Sequence, residues 1–156
     1  MTGALERFLA AARAAGLDPD VHRFPEGTKT AGAAAAAVGC DVGQIVKSLV
    51  FRADDEPILA FTSGANRVDT EKLARVAGAR MVRRATPEEA RSATGFAVGG
   101  TPPLGHPERL RAWVDPALLG FDRIWAAAGT PDAIFPLSPR ELLACTAGAE
   151  ADFVET

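Results

Sequence analysis

The run Val46-Lys47-Ser48-Leu49-Val50-Phe51 sets a cation inside a stretch that otherwise has the apolar character of a strand entering a core. A buried ammonium is costly unless it is paired or kept for chemistry, and the chain carries only three lysines. Lys47 is therefore a candidate for ligand binding or catalysis, against the alternative of a residue snorkelling from an edge strand. A second candidate is Gly99-Gly100-Thr101-Pro102-Pro103-Leu104-Gly105, which follows the apolar run Phe96-Ala97-Val98. Its paired glycines admit positive φ and the close approach of a ligand, while Pro102 and Pro103 hold φ and stiffen the loop. Such a loop aims backbone N–H groups at an oxygen, although the same composition also makes a plain tight turn. A cation together with fixed backbone donors is what recognition of a phosphate, or polarisation of an ester carbonyl, requires.

The elements that must hold these groups are punctuated clearly. Leu5, Phe8, Leu9 and Ala12 recur at helical spacing after Thr2, predicting a helix from about residue 3 to Ala15 that stops at Gly16. Thr30 and the alanine run to Val38, closed by Gly39, predict a second, and Asp69 caps a third that ends at Gly78. Thr86-Pro87-Glu88-Glu89 and Ser138-Pro139-Arg140-Glu141 are capping boxes with proline at the first helical position. Between the helices, β-type runs are expected at Lys47–Arg52, Pro57–Thr62, Arg80–Arg83, Phe96–Val98, Arg111–Val114, Arg123–Ala127 and Ala133–Leu137. With no repeat, linker or charge block, the expectation is one mixed α/β domain over residues 1–156, large enough to bury its own core.

Composition narrows the function further. Seventeen Lys and Arg against 20 Asp and Glu give a net charge of −3, which offers no broad electrostatic footprint for a nucleic-acid backbone and argues against DNA as a partner. Cys40 and Cys145 form no C-x-x-C, and His22 and His106 lie in separate segments, so neither a metal nor a cofactor is expected. The N-terminus lacks a signal-like hydrophobic region and no run of about 18 apolar residues occurs, so a soluble cytoplasmic protein without membrane contact is expected.

Two segments carry a family resemblance. Gly39-Cys40-Asp41-Val42-Gly43-Gln44-Ile45-Val46-Lys47-Ser48-Leu49-Val50 and Thr94-Gly95-Phe96-Ala97-Val98-Gly99-Gly100-Thr101-Pro102-Pro103-Leu104-Gly105 resemble the signature regions of the YbaK and prolyl-tRNA-synthetase-associated editing domains. The resemblance extends through the Asp69 helix and both capping boxes, covering nearly all of the chain from Thr30 onward. It implies a strongly bent, mostly antiparallel mixed sheet or barrel flanked by helices. It also implies an aminoacyl-tRNA deacylase that hydrolyses, in trans, the ester of a mischarged amino acid on the tRNA 3′ ribose. Lys47 then matches the residue most needed for activity, and Gly99 to Pro103 the loop that holds the aminoacyl carbonyl and terminal adenosine. The implied partners are the tRNA acceptor end, with tRNA(Pro) a candidate, and a synthetase such as prolyl-tRNA synthetase.

On this reading Lys47 binds the terminal phosphate or ribose, and the backbone at Gly99, Gly100 and Thr101 forms the oxyanion site, with Pro102 and Pro103 completing the substrate-binding loop. No Ser-His-Asp order is visible, which leaves water or a ribose hydroxyl as the base. Ala127-Ala128-Gly129 stands where members that clear cysteine often carry Ser-Gly-Gly, and Pro102 where they carry a serine, so the cargo stays open among alanine, serine and cysteine. Two other classes compete: a non-catalytic module that binds an aminoacyl-tRNA end or a synthetase, and a small-molecule esterase. Other residues take structural readings. His106 is expected as an exposed loop residue, Trp113 and Trp125 as core, Arg80, Arg83 and Arg84 as a solvated strand end, and Asp115 and Asp122 as turn and cap residues.

Overall fold

The computed structural model describes residues 3–156; Thr2, after which the first helix is expected, lies outside them. Among the described residues five α-helices form where they are expected, the first by periodicity and the rest by their caps: α1 (Ala4–Ala14), α2 (Ala31–Val38), α3 (Thr70–Ala77), α4 (Pro87–Thr94) and α5 (Pro139–Thr146). Thr30 Oγ1 accepts from the Ala33 N–H at 3.1 Å, and Asp69 Oδ1 from the Glu71 and Lys72 N–H groups. In the α4 box the Thr86 N–H donates to Glu89 at 2.9 Å while the Glu89 N–H donates back to Thr86 Oγ1 at 3.1 Å, and Ser138 and Glu141 repeat the exchange. Each exchange satisfies two of the N–H groups that a helix start leaves without partners.

Eight strands, β1 (His22–Arg23), β2 (Val46–Ala53), β3 (Glu56–Ser63), β4 (Val82–Arg84), β5 (Arg111–Val114), β6 (Ile124–Ala127), β7 (Ala133–Leu137) and β8 (Ala149–Glu150), make two sheets. The larger has the order β4-β2-β3-β5-β8 and the smaller β1-β7-β6. Four pairings are antiparallel; β3 with β5 and β5 with β8 are parallel. The sheets meet where Ile45 bridges Trp125 in parallel, so the strands bend around one wall in the mostly antiparallel arrangement expected. One core cluster fills the space between them. Phe8 from α1 lies 4.7 Å from Phe135 of β7, centroid to centroid, and both are buried beside Phe61, Phe96 and Leu142. A second cluster packs α3 through Leu73 and Ala77 onto Phe51, Ile58 and Phe153.

Two of the expected strands are corrected. Phe96–Val98 is not a strand, because local bonds occupy its backbone. The Phe96 N–H donates to Thr94 Oγ1 at 3.1 Å, Thr94 Oγ1 donates to the Phe96 carbonyl at 3.2 Å, and the Ala97 carbonyl accepts from the Gly100 N–H at 3.1 Å. The apolar run reflects insertion of Phe96, 2% exposed, into the core instead of a ladder. The strand expected at Arg80–Arg83 begins at Val82, because the Arg80 and Met81 N–H groups donate to the Asp54 carboxylate at 3.2 and 3.0 Å.

Candidate functional site

β2 pairs with β3 along its whole length, but its other edge pairs with β4 only from Phe51 to Ala53, and Ile45, just before β2, forms an isolated bridge to Trp125 of β6. Between those contacts lies a cavity of about 610 Å³ whose walls include residues 46–50, Trp125, Ala126 and the start of α2. The Val50 carbonyl turns toward this side, accepting from the Ala85 N–H at 3.1 Å. By the alternation of an antiparallel ladder, the Ser48 backbone groups turn the same way, into the cavity. Ser48 Oγ is shielded there with no partner in the protein; a substrate N–H or O–H is the kind of group that satisfies such an atom.

Lys47 lines this cavity and is partly buried. Its Nζ donates to the Asn66 carbonyl at 2.5 Å. The Asn66 side chain donates to Asp115 Oδ2 at 2.9 Å, and Asp115, 1% exposed, also accepts from the Ser63 N–H at 3.0 Å and the Ala117 N–H at 2.9 Å. A buried carboxylate thus fixes the turn that presents a carbonyl to the ammonium. Asp115 caps as expected, but its second oxygen does more: it ties the end of β3 to the lysine's anchor. Burial is the largest influence on Lys47 and pushes its pKa down; the positive charges of Arg84 and Arg67 add to this, and Asp115 opposes it.

The loop residues divide. Gly99, in the left-handed region at φ 90°, and Thr101 line the same cavity as Lys47. Among the described residues neither of their N–H groups has a protein acceptor, whereas the Gly100 N–H is taken by Ala97. Gly100 instead backs onto the neighbouring loop, where an added Cβ would lie 2.8 Å from the Thr130 carbonyl carbon. Pro102 is buried, and its carbonyl accepts from His106 Nε2 at 2.9 Å. Pro103 faces a separate cavity of about 370 Å³ shared with His106, Arg109 and Cys145. His106 is not the exposed residue expected: it is partly buried, sits edge-on to Phe96, and burial pushes its pKa down. A short spacer brings it back under the loop, which sequence alone does not reveal.

Three further residues line the cavity, of which Arg84 and Trp125 took structural readings in sequence and Lys29 took none. Lys29 and Arg84 lie on its walls, and Trp125, 7% exposed, is at once core and lining. The scarcity of lysine was the one available signal for Lys29, since two of the chain's three lysines face this cavity. Among the described residues no His, Cys, Asp or Glu cluster could hold a metal ion, and no helix is long and apolar enough to cross a membrane.

Comparison with known proteins shows the family. The family model of the aminoacyl-tRNA editing domain matches residues 25–145, which spans both the lysine strand and the glycine loop. The chain belongs to the aminoacyl-tRNA editing domain family. At 46% identity, this editing domain superimposes with TM-score 0.93 on the crystal structure of a protein put forward as a trans-editing enzyme for prolyl tRNA synthetase, covering 100% of this chain and 99% of that one. The uncharacterised protein YwhH of Bacillus subtilis (strain 168) is 31% identical over 79% of this editing domain and 78% of its own length. Proline–tRNA ligase of Streptococcus thermophilus (strain ATCC BAA-491 / LMD-9) is 35% identical over 57% of the editing domain, a match that occupies 14% of the ligase.

Proposed function

We propose that residues 1–156 act as one editing domain working in trans, a hydrolase of carboxylic esters that clears a mischarged small amino acid of the alanine, serine or cysteine class from tRNA. The observation that carries this reading is the single cavity in which an anchored lysine faces a stiff loop with unoccupied N–H groups, in a member of the aminoacyl-tRNA editing domain family. An aminoacyl ester is already activated, so positioning and oxyanion stabilisation supply most of what hydrolysis needs. Lys47 binds the ribose or phosphate end of the substrate. The Gly99 and Thr101 N–H groups receive the developing oxyanion; Gly100 holds the loop against Thr130 instead of donating. A water oxygen attacks the carbonyl carbon, the bond to the ribose oxygen breaks, and that oxygen takes up the water's proton.

The likeness to a protein put forward as serving prolyl tRNA synthetase supports tRNA(Pro) as the tRNA and that synthetase as the partner; on this reading the domain works in the cytoplasm, where tRNA is charged. Contact is confined to the acceptor end, in keeping with a net charge of −3. The test is deacylation of a panel of Ala-, Ser- and Cys-tRNA species by the wild type and by Lys47→Ala of verified fold. Hydrolysis of one or a few species, falling at least about a hundredfold in the variant, supports the reading. Binding without turnover of any species overturns it in favour of a binding module, and efficient cleavage of simple activated esters without tRNA overturns it in favour of an esterase.

A further inference from the structure

The cavity that holds Lys47 carries more positive charge than that lysine explains. Lys29 and Arg84 also line it, each contributed by a different segment, while no Asp or Glu does so among the described residues. This local excess of positive charge runs against the chain's net charge of −3. Six cations elsewhere meet carboxylates, Arg83 and Arg52 at Glu89, Arg111 at Glu56, Arg23 at Asp132, Arg67 at Glu155 and Lys72 at Asp152. Among the described residues Lys29 and Arg84 have no such partner. Three like charges around one apolar-walled cavity repel one another and gain nothing until an anion arrives.

The three cations also occupy different depths. Lys47 is partly buried and drawn inward to the Asn66 carbonyl, whereas Lys29 and Arg84 are exposed, which puts them at the cavity mouth. Arg84 pairs with Phe51 in the β4–β2 ladder, four residues along β2 from Lys47, or about 13 Å at the rise of a strand. Its guanidinium lies 5.7 Å from the centre of the Phe51 ring, which orients it without neutralising it. Across the mouth the Lys29 stem lies over Gly99, so closely that a Cβ on that glycine would sit 2.7 Å from Lys29 Cγ. Beside it α2 begins, with Thr30 and Ala31 in the wall and no acidic residue in its first turn, so its N-terminal dipole adds to the positive potential.

We propose that Arg84 and Lys29 form a phosphodiester subsite at the mouth, which grips the phosphate 5′ to the terminal adenosine and leaves Lys47 to the ribose and ester deeper inside. This rests on the editing reading and refines it: the recognised ligand is a terminal dinucleotide step, not an aminoacyl nucleoside alone. The inner lysine and the outer pair thereby set the direction in which a single strand enters.

The experiment compares binding of adenosine with binding of cytidylyl-(3′→5′)-adenosine, the last two nucleotides of tRNA, by calorimetry. It uses wild type, Lys47→Ala and the double variant Lys29→Gln/Arg84→Gln, each checked for fold by circular dichroism. Wild type and Lys47→Ala are expected to bind the dinucleotide at least about tenfold more tightly than adenosine. The wild-type log-affinity should fall with log salt at a slope of about −0.7, the one phosphate contact that this dinucleotide offers on a single strand. The double variant should lose both the preference and the slope. A preference that survives in the double variant, or none in the wild type, overturns the subsite. Failure of the editing reading looks different: no Lys47-dependent hydrolysis of any mischarged tRNA. Lys47-dependent hydrolysis that is unaffected in the double variant leaves editing standing and removes only the subsite.

Discussion

Removing the Asp115 carboxylate is the most informative perturbation of the scaffold around Lys47. Asp115 is 1% exposed and accepts three hydrogen bonds, from the Ser63 and Ala117 N–H groups and the Asn66 side chain. Ser63 is itself 1% exposed, so in Asp115→Ala its N–H loses its acceptor without gaining water, a cost of about 1–3 kcal/mol. Asn66 is only partly buried and Ala117 is exposed, so water recovers most of their bonds and each adds about 0.5–1 kcal/mol. The expected loss is about 3 kcal/mol, which at an m-value of about 2 kcal/mol/M lowers the urea midpoint by about 1.5 M. A loss below about 1 kcal/mol with unchanged m refutes the claim that this carboxylate organises the turn. The milder Asp115→Asn tests its electrical role. Because Asp115 opposes the downward shift of Lys47, the variant should titrate Lys47 at lower pH, read as the pH dependence of its acylation by mass spectrometry. An unchanged or raised profile refutes that role.

Gly100→Ala should displace the loop, because its Cβ meets the Thr130 backbone at 2.8–2.9 Å; a stability loss of about 1–3 kcal/mol is expected, and unchanged thermal stability would contradict the close approach. Phe8→Ala should cost about 3–5 kcal/mol, since the ring is fully buried against Phe135 and is the main anchor of α1; a loss below about 1 kcal/mol in urea unfolding would show that α1 docks otherwise. The Arg83 guanidinium, then the Thr86 N–H, hold Glu89 down at about 2 against an ordinary 4.5. A depressed carboxyl stabilises above its unfolded pKa and loses that contribution as pH falls, so stability should decline from about pH 4.5 toward about 2. Glu89→Gln should flatten that part of the acid limb, and an identical slope in the variant would refute the pairing.

Local grammar made the helices legible. Thr30, Asp69, Thr86 and Ser138 cap the helices they were expected to cap, because an N-cap is satisfied by atoms within three residues of itself. Strands were legible only where their ladders ran unopposed. Phe96–Val98 failed because Thr94, two residues away, captured its backbone groups, and Arg80 because Asp54, 26 residues away, captured its N–H. β1 and β8, two residues each, carry no periodicity to read.

For the site, the residues and the place must be separated. The lysine in an apolar strand and the stiff glycine loop were visible as residue types whose chemistry is intrinsic, and their resemblance pointed to the editing domain family to which the chain belongs. Sequence alone could not assign Lys29, Arg84 or Trp125 to that cavity, nor turn Gly100 away from it, since these depend on which segments the sheets bring together. It also could not find the Asn66–Asp115 tether, formed across 49 residues between the ends of two strands. Propensity, capping and residue chemistry act over a few residues and survive in the linear code; burial, desolvation and the gathering of unpaired charge exist only once distant segments share a wall.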